Sequence, residues 1–143
     1  AMSIERLRVG TPAIVQLSVL DAALDAWNHV DMAELRVASV ALSDCFIREV
    51  AARCPMLKLA SPHDSAQRGS QVSFAFEHGY AAMQALIDRG VIGDFRAPAI
   101  MRFGFAPLYL DEGDVVRAAE IIEEVRSDEL WRDPMYQAVS RVT

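Results

Sequence analysis

The sequence predicts a single α+β domain, a two-layer sandwich in which helices cover one face of a small, mostly antiparallel sheet. Apolar residues recur with helical spacing in four stretches, and residues 71–76 alternate strictly, as in a half-buried strand. The order along the chain is helix, helix, strand, strand, helix, strand, strand, helix, which favours this layering. We therefore expect residues 1–143 to form one domain, with an extended lead-in at 1–11, a long connecting helix at 12–30 and an α/β sandwich at 31–143.

The first helix, from about residue 13 to 29, is expected to be apolar on nearly every side, and Pro12 suits its first turn. Its apolar residues form two stripes, with Leu17, Leu20, Leu24 and Trp27 in one and Val15, Val19, Ala22 and Ala26 in the other. Because such a helix needs two surfaces to pack against, we expect a missing domain or a partner subunit to cover one of them.

A second helix is expected from Asp31, which can cap it, to about Arg53, with Glu34 at the capping-box position. A short strand after Pro55 and a polar, turn-rich loop at 61–69 should follow it. The expected buried stripe of this helix is Leu35, Ala38, Leu42, Cys45 and Phe46. In the strand at 71–76, the residues expected to face the core are Val72, Phe74 and Phe76.

The second half of the chain predicts an amphipathic helix at 79–89 that Gly90 ends, two strands at 91–96 and 100–105, and a last helix at 113–126. A short turn is expected around Trp131. The inward residues of the two helices should be Tyr80, Met83, Leu86 and Ile87 in the first, and Val115, Ala118, Ala119, Ile122 and Val125 in the second.

Composition argues against several classes of function. A net charge of −6 disfavours nucleic-acid binding, which needs a basic surface. No stretch is long and apolar enough for a membrane span, and no signal-peptide pattern opens the chain. Ala1 is interpreted as a remnant of tag removal. Cys45 and Cys54 are predicted to be buried, unpaired thiols with no histidine at ligand spacing, which predicts no metal site and a reducing, cytoplasmic location.

Two features with the residue types of catalytic sites are interpreted as structural. Lys58 is the only lysine, and its place in a short apolar run predicts a solvent-facing strand residue rather than a lysine that forms a Schiff base with a cofactor. The adjacent residues 63–65 (HDS) cannot form a relay among themselves and are expected to be a solvated turn. His29 and His78 are expected at the surface or at helix caps.

Four segments resemble those of kynureninases. They are residues 8–12 (RVGTP), 68–73 (RGSQVS), 89–98 (RGVIGDFRAP) and 100–109 (IMRFGFAPLY), in this order along the chain. The resemblance implies the small C-terminal domain of an aminotransferase-like fold, in an enzyme that uses pyridoxal phosphate to hydrolyse kynurenine to anthranilate and alanine. It also implies a homodimer and a separate large domain that carries the Schiff-base lysine. We therefore expect the isolated chain to be inactive and to bind no cofactor tightly.

Arg102 is the main candidate for a binding residue, because its permanent charge lies in the middle of an apolar strand. Alternation places it on the face opposite Met101 and Phe103, and Gly104 leaves space for a ligand to approach. An arginine fork can hold a carboxylate with two parallel hydrogen bonds. The resemblance implies that Arg102 binds the α-carboxylate of the substrate. The alternative is that it pairs with Asp94 or another acidic residue of the sheet and only supports the fold.

Gly10 and Thr11 are the second candidate site. The Thr11 hydroxyl lies just ahead of the first predicted helix, where a threonine normally acts as N-cap. The resemblance implies that it contacts the cofactor phosphate, from the neighbouring subunit of a dimer. Both roles can hold together, because a helix N-terminus also favours phosphate oxygens. A Gly-Thr pair resembles the bacterial members of the family and favours kynurenine over its 3-hydroxy derivative. Arg68, Asp94 and Arg96 are interpreted as supports of the sheet edge and turns.

Two other functions stay open. The chain resembles, less closely, the small domain of other enzymes with the same fold, such as cysteine desulfurases and class V aminotransferases, which use a carboxylate-binding arginine in the same way. Alternatively, it is a free-standing, non-enzymatic binding or dimerisation domain, as its apolar first helix would allow.

Overall fold

A computed structural model describes residues 10–138. Residues 1–9, which belong to the predicted lead-in and include the start of the motif at 8–12, lie outside the described residues, as do residues 139–143. The chain divides into two compact units, which meet between Met32 and Ala33. Among residues 10–138, the helix Ile14–Leu24 lies in the first unit, and the sheet lies in the second. That residues 1–143 act as one domain stays a prediction.

The predicted order of elements is confirmed, and one short helix follows at the end. The elements are α1 (Ile14–Leu24), α2 (Met32–Arg53), β1 (Lys58–Leu59), β2 (Gln71–Ala75), α3 (Gly79–Asp88), β3 (Asp94–Arg96), β4 (Ile100–Gly104), α4 (Glu112–Ser127) and α5 (Pro134–Gln137). Short 3₁₀ turns lie at Asp25–Trp27, Ser65–Gln67 and Leu130–Arg132. No helix among residues 10–138 has the length and apolarity needed to cross a bilayer.

The sheet has four strands in the order β1-β2-β4-β3, and every neighbouring pair is antiparallel. The predicted α+β class with a small antiparallel sheet is therefore confirmed. In β2 and β4, Val72 lies opposite Phe103 and Phe74 lies opposite Met101. These four side chains are buried on one face of the sheet, so the alternation predicted for both strands is confirmed.

The core of the second unit is formed between this apolar face and the helices. The ring of Phe46 on α2 packs against the rings of Phe74, Phe103 and Phe105, with centroids 5.1 to 5.9 Å apart. Helices α3 and α4 add Met83, Leu86, Val115, Ala119, Ile122 and Val125 to the same cluster. The paired aromatic rings add to the free energy of burial because their edges and faces attract.

Some boundaries and buried faces differ from the prediction. The first helix ends at Leu24 rather than near residue 29, and β3 begins at Asp94 rather than at residue 91. On α2 the buried stripe includes Ser39 and Ser43 in place of Ala38, because a hydroxyl can enter a core once it is bonded. Ser39 donates to Ser70 over 2.7 Å, and Ser43 donates to the carbonyl of Val40.

Local sequence signals mark the end of helix α3 and the start of helix α4. Gly90 has φ +86°, which the turn after α3 needs, and its backbone N–H donates to the carbonyl of Ile87. At the start of α4, Asp111 and Asp114 form a capping box with two hydrogen bonds of 3.0 Å. On α3, however, Ile87 is partly exposed and Ala81, Ala82 and Ala85 are buried in its place.

Candidate functional site

Arg102 lies at the centre of the polar face of the sheet. It is in the middle of β4, with Ser73 of β2 on one side and Asp94 of β3 on the other. The neighbouring residues Met101 and Phe103 point into the core, so the predicted orientation of Arg102 is confirmed. Its side chain keeps 27% of its surface exposed.

The guanidinium of Arg102 forms an ion pair with the carboxylate directly across the strands. Its Nη2 donates to Oδ2 of Asp94, which is one of the acidic partners that the structural alternative allowed. Arg96 approaches the same Oδ2 with its own Nη2 at 3.8 Å. The Nε of Arg102 is buried and has no hydrogen-bond partner among the described residues. The ion pair therefore leaves the guanidinium incompletely satisfied.

Two glycines shape the backbone around Arg102 in opposite ways. At Gly93 an added Cβ would lie 2.8 Å from the carbonyl oxygen of Arg102 and 2.7 Å from Cε of Met83, so only glycine fits between them. At Gly104, two residues beyond Arg102 on the same strand, an added Cβ would meet nothing within 4 Å. The strand is thus closely packed beside Asp94 and open on the other side of Arg102.

Gly10 and Thr11 lie in the first unit and are both exposed. The N-cap of α1 is Ala13, without a side-chain hydrogen bond, so the expectation that Thr11 caps this helix is wrong. The helix begins two residues later than a threonine cap would require, and no side chain within residues 10–138 caps it. Gly10 has φ +91°, a conformation that glycine adopts without strain.

The other candidate groups lie where the sequence placed them. Lys58 is exposed on β1, at an edge of the sheet, as predicted. Cys45 and Cys54 are buried free thiols, and burial raises the pKa of both. Asp64 caps the 3₁₀ turn at Ser65–Gln67, which confirms a turn at residues 63–65. Within residues 10–138, no three His, Cys, Asp or Glu side chains are grouped as metal ligands would be.

Arg68 holds the loop before β2 against helix α2. The side chain of Arg68 is only 2% exposed. Its guanidinium pairs with Asp44 and donates to the carbonyl of His63 over 2.6 Å. Arg36 donates from the helix to the carbonyl of Arg68 over 3.0 Å. The supporting role of Arg68 was predicted from the sequence, but its burial was not, because nothing local in the sequence shows that the loop folds over it.

A cavity of about 690 Å³ lies between the end of α3, the end of β4 and α4. This cavity was not predicted from the sequence. Its walls are mostly apolar and include Phe46, Phe103, Phe105 and Leu110, and the exposed ring of Tyr109 stands at its edge. Arg102 does not line this cavity, but Gly104, two residues beyond it on β4, does.

Known proteins match nearly the whole chain. The family model described as "Kynureninase C-terminal domain" matches residues 35–122, which is more than half of the chain. The chain belongs to the kynureninase family. Proteins named kynureninase from Burkholderia mallei (strain SAVP1), Burkholderia pseudomallei (strain K96243) and Pseudomonas fluorescens are each 46% identical to it over 142 residues.

The match covers 98% of this chain but only 34% of each of these relatives, so the chain spans about a third of the length of the kynureninases it matches. The residues that match the kynureninase family model include β3 and β4, with Asp94 and Arg102. Gly10 and Thr11 precede the matched residues of the model but fall inside the longer match to the three relatives.

Proposed function

We propose that this chain is the substrate-binding C-terminal domain of a kynureninase, which hydrolyses kynurenine to anthranilate and alanine. Arg102 would bind the α-carboxylate of the substrate. The observation that carries the proposal is the position of Arg102: its side chain is partly exposed at the centre of a polar sheet face, in a chain that belongs to the kynureninase family. The remaining two-thirds of such an enzyme would supply the large domain.

The surroundings of Arg102 support binding over a purely structural role. A guanidinium has five N–H donors, and the contact with Asp94 engages only Nη2. The exposed part of the Arg102 side chain and the open space beside Gly104 leave an approach for a second carboxylate to the donors that Asp94 does not engage. The buried Nε is not part of this approach. Holding the α-carboxylate at a fixed arginine orients the bonds at the substrate's Cα, and this orientation decides which bond is broken.

Pyridoxal phosphate, when bound in such an enzyme, supplies the electron sink for the bond cleavage. The residues of this chain fit a contribution to its phosphate but not to its covalent attachment. The exposed Thr11 hydroxyl and the uncapped start of α1 offer hydrogen-bond donors of the kind that phosphate oxygens accept. Lys58 is exposed on a two-residue edge strand, which does not suit a Schiff-base lysine. The attachment lysine would come from the large domain.

A hybrid enzyme tests the proposal directly. It would join the part of the Pseudomonas fluorescens kynureninase that precedes the matched region to this chain, starting at Met2. With pyridoxal phosphate bound, we expect the hybrid to release anthranilate from kynurenine, which its fluorescence reports. Arg102→Ala should lower kcat/KM by about 100-fold, because a desolvated charge pair with the substrate is lost. Arg102→Lys, which keeps the charge but not the fork, should lower it by about tenfold.

A hybrid that binds pyridoxal phosphate and yet releases no anthranilate would contradict the proposal. Comparing kynurenine with its 3-hydroxy derivative in the same assay tests the proposed preference for kynurenine. For the isolated chain we propose no activity, and borohydride reduction in the presence of pyridoxal phosphate should leave Lys58 unmodified. A Lys58 adduct found by mass spectrometry would argue against a separate large domain that carries the attachment lysine.

The exposed apolar surface of helix α1 favours a partner that covers it. We propose that this partner is the large domain together with a second subunit of a homodimer. The apolar side chains of α1 are exposed on every side, from 52% for Leu17 to 78% for Val15. Such a surface is stable only when other protein buries it. The hybrid enzyme should sediment as a dimer, and a compact monomer would contradict this part of the proposal. A free-standing dimerisation domain is favoured only if the isolated chain dimerises and the hybrid is inactive.

The family match also bears on the alternative enzymes. Cysteine desulfurases and class V aminotransferases would share the arginine but not the reaction. Because the matching model and the three relatives are all described as kynureninase, the kynurenine reaction is the one we propose. Assaying the hybrid with cysteine and with an amino-group acceptor should give no turnover above the background of the Arg102→Ala variant.

A further inference from the structure

We propose that Asp94 is a positioning residue for Arg102: it fixes the direction of the guanidinium so that the free donors face an incoming substrate carboxylate. This inference rests on the proposed function of Arg102 and deepens it. It gives Asp94, which sequence analysis interpreted as a support of the sheet edge, a part in substrate binding.

The geometry of the two strands makes Asp94 suited to this task. Asp94 and Arg102 are paired directly across β3 and β4, so their side chains leave the sheet side by side on its polar face. The preceding residue, Gly93, allows the backbone to pass close to the carbonyl of Arg102, where a Cβ would lie 2.8 Å from that oxygen. The carboxylate is therefore held at a fixed place relative to the arginine backbone.

The contact restrains the guanidinium without consuming it. Nη2 of Arg102 donates to Oδ2 of Asp94, while the buried Nε has no hydrogen-bond partner within residues 10–138. A long arginine side chain loses much rotational freedom when it binds a ligand, and a carboxylate that holds it in advance reduces this loss. The second carboxylate, from the substrate, would then meet a guanidinium that already points in one direction.

Asp94 could also weaken substrate binding, because its negative charge lies beside the binding site and repels the substrate carboxylate. Arg96 weakens this repulsion, since its Nη2 lies 3.8 Å from the same Oδ2 and its side chain is 66% exposed. Asp94, Arg96 and Arg102 together therefore present a net positive charge to the substrate carboxylate. Orientation should therefore outweigh repulsion, and the sign of the change in KM separates the two effects.

The position of the pair also separates this role from a role in stability. Asp94 keeps 48% of its side chain exposed and Arg102 keeps 27%, and ion pairs this exposed contribute little to the free energy of unfolding. Asp94→Asn should therefore leave the thermal unfolding temperature nearly unchanged. A residue that only supported the fold would show the reverse, with a lower unfolding temperature and an unchanged KM.

The test is the kinetics of the hybrid enzyme with kynurenine. We expect Asp94→Asn to raise KM about tenfold, with kcat changed less than about twofold, because a restraint on carboxylate binding is lost. In an Arg102→Ala background the same change should have no further effect on KM. The matched control is Glu129→Gln, which removes one charge from the Glu129–Arg132 ion pair at 2.9 Å, and it should leave both constants unaltered.

A second measurement uses the 143-residue chain by itself. In nitrogen NMR spectra of the arginine side chains, the Nε–H signal of Arg102 should show faster guanidinium rotation after Asp94→Asn, and Glu129→Gln should leave that signal unchanged. Unchanged rotation, a lower KM, or an equal effect of Asp94→Asn in the Arg102→Ala background would each overturn the inference.

These outcomes are distinguishable from failure of the proposed function. If Arg102→Ala leaves kcat/KM unaltered, or if the cofactor-bound hybrid is inactive, the proposed function fails and the inference about Asp94 fails with it. If Arg102→Ala lowers kcat/KM and Asp94→Asn does not raise KM, only the inference fails.

Discussion

The imidazole ring of His78 stacks on the indole ring of Trp131, with the ring centroids 4.1 Å apart and the planes inclined by 10°. His78 immediately precedes α3, and Trp131 lies in the turn that follows α4. Phe76 completes the group, with its ring against the edge of the indole at 83°. The start of one helix and the segment after another are thus joined by stacked rings.

Replacing His78 should weaken this junction. We expect His78→Ala to lower the free energy of unfolding by about 1 kcal/mol, since a stacked ring pair is lost from a nearly buried tryptophan. His78→Phe should recover most of the loss. Urea denaturation monitored by tryptophan fluorescence measures it, and His63→Ala, in the exposed loop, is the matched control. Equal effects of the two alanine variants would show that the stack contributes nothing.

Removing the guanidinium of Arg68 should loosen the loop before β2. Arg68→Met leaves the carbonyls of Pro62 and His63 without their donor, and we expect a loss of about 2 kcal/mol in unfolding free energy. Amide hydrogen exchange at residues 61–67 should become faster than elsewhere. The exposed Arg117 offers the control, because Arg117→Met should cost less than about 0.5 kcal/mol. Uniform exchange rates after Arg68→Met would contradict the role of Arg68 in holding the loop before β2 against α2.

Adding a methyl group at residue 93 should disturb the strand that carries Arg102. In Gly93→Ala the new Cβ would lie 2.7 Å from Cε of Met83, and we expect a loss of about 1–3 kcal/mol from overpacking. Gly69→Ala is the control, since nothing lies within 4 Å of its Cβ. Thermal unfolding of both variants checks this, and a Gly93→Ala chain as stable as Gly69→Ala would refute the close approach.

The buried thiols predict how stability depends on pH. Burial raises the pKa of Cys54 above its ordinary value of 9.0, so the folded chain keeps the proton that the unfolded chain loses. Stability from this group is therefore complete below that value and is lost as pH rises above it. Between pH 8 and pH 10 (about one unit either side), unfolding free energy should fall less steeply in Cys54→Ala than in the unmodified chain.

A labelling experiment gives an independent measurement of the same property. Ellman's reagent should react slowly with both cysteines in the folded chain and quickly in urea, because only the exposed thiolate is nucleophilic. Equal slopes of stability against pH, together with fast labelling of the folded chain, would show that Cys54 is accessible to solvent.

The sequence predicted the order of elements and the antiparallel sheet because periodicity of apolar residues is a local signal. Gly90 and the alternation around Arg102 are examples in which a single residue or a short run determined the local structure. The stack of His78 on Trp131 was not predicted, because it joins residues far apart in sequence. The burial of Arg68 depends in the same way on a loop closing over α2.

The candidate site was predicted in part. The orientation of Arg102 follows from strand alternation, and its ion pair with Asp94 was foreseen only as one of two possibilities, since register between strands is not readable from either strand alone. The cap of α1 was predicted wrongly, because Thr11 and Ala13 lie close enough in sequence that a shift of two residues in the helix start changes the capping residue.

The strand order has a consequence for how this domain can associate with other chains. The two outer strands of the described sheet are β1, with two residues, and β3, with three. Outer strands this short offer few free backbone groups, so they are weak templates for a further strand from a neighbour. The fold of the described sheet therefore favours association through side-chain surfaces over fibre-like growth along the sheet.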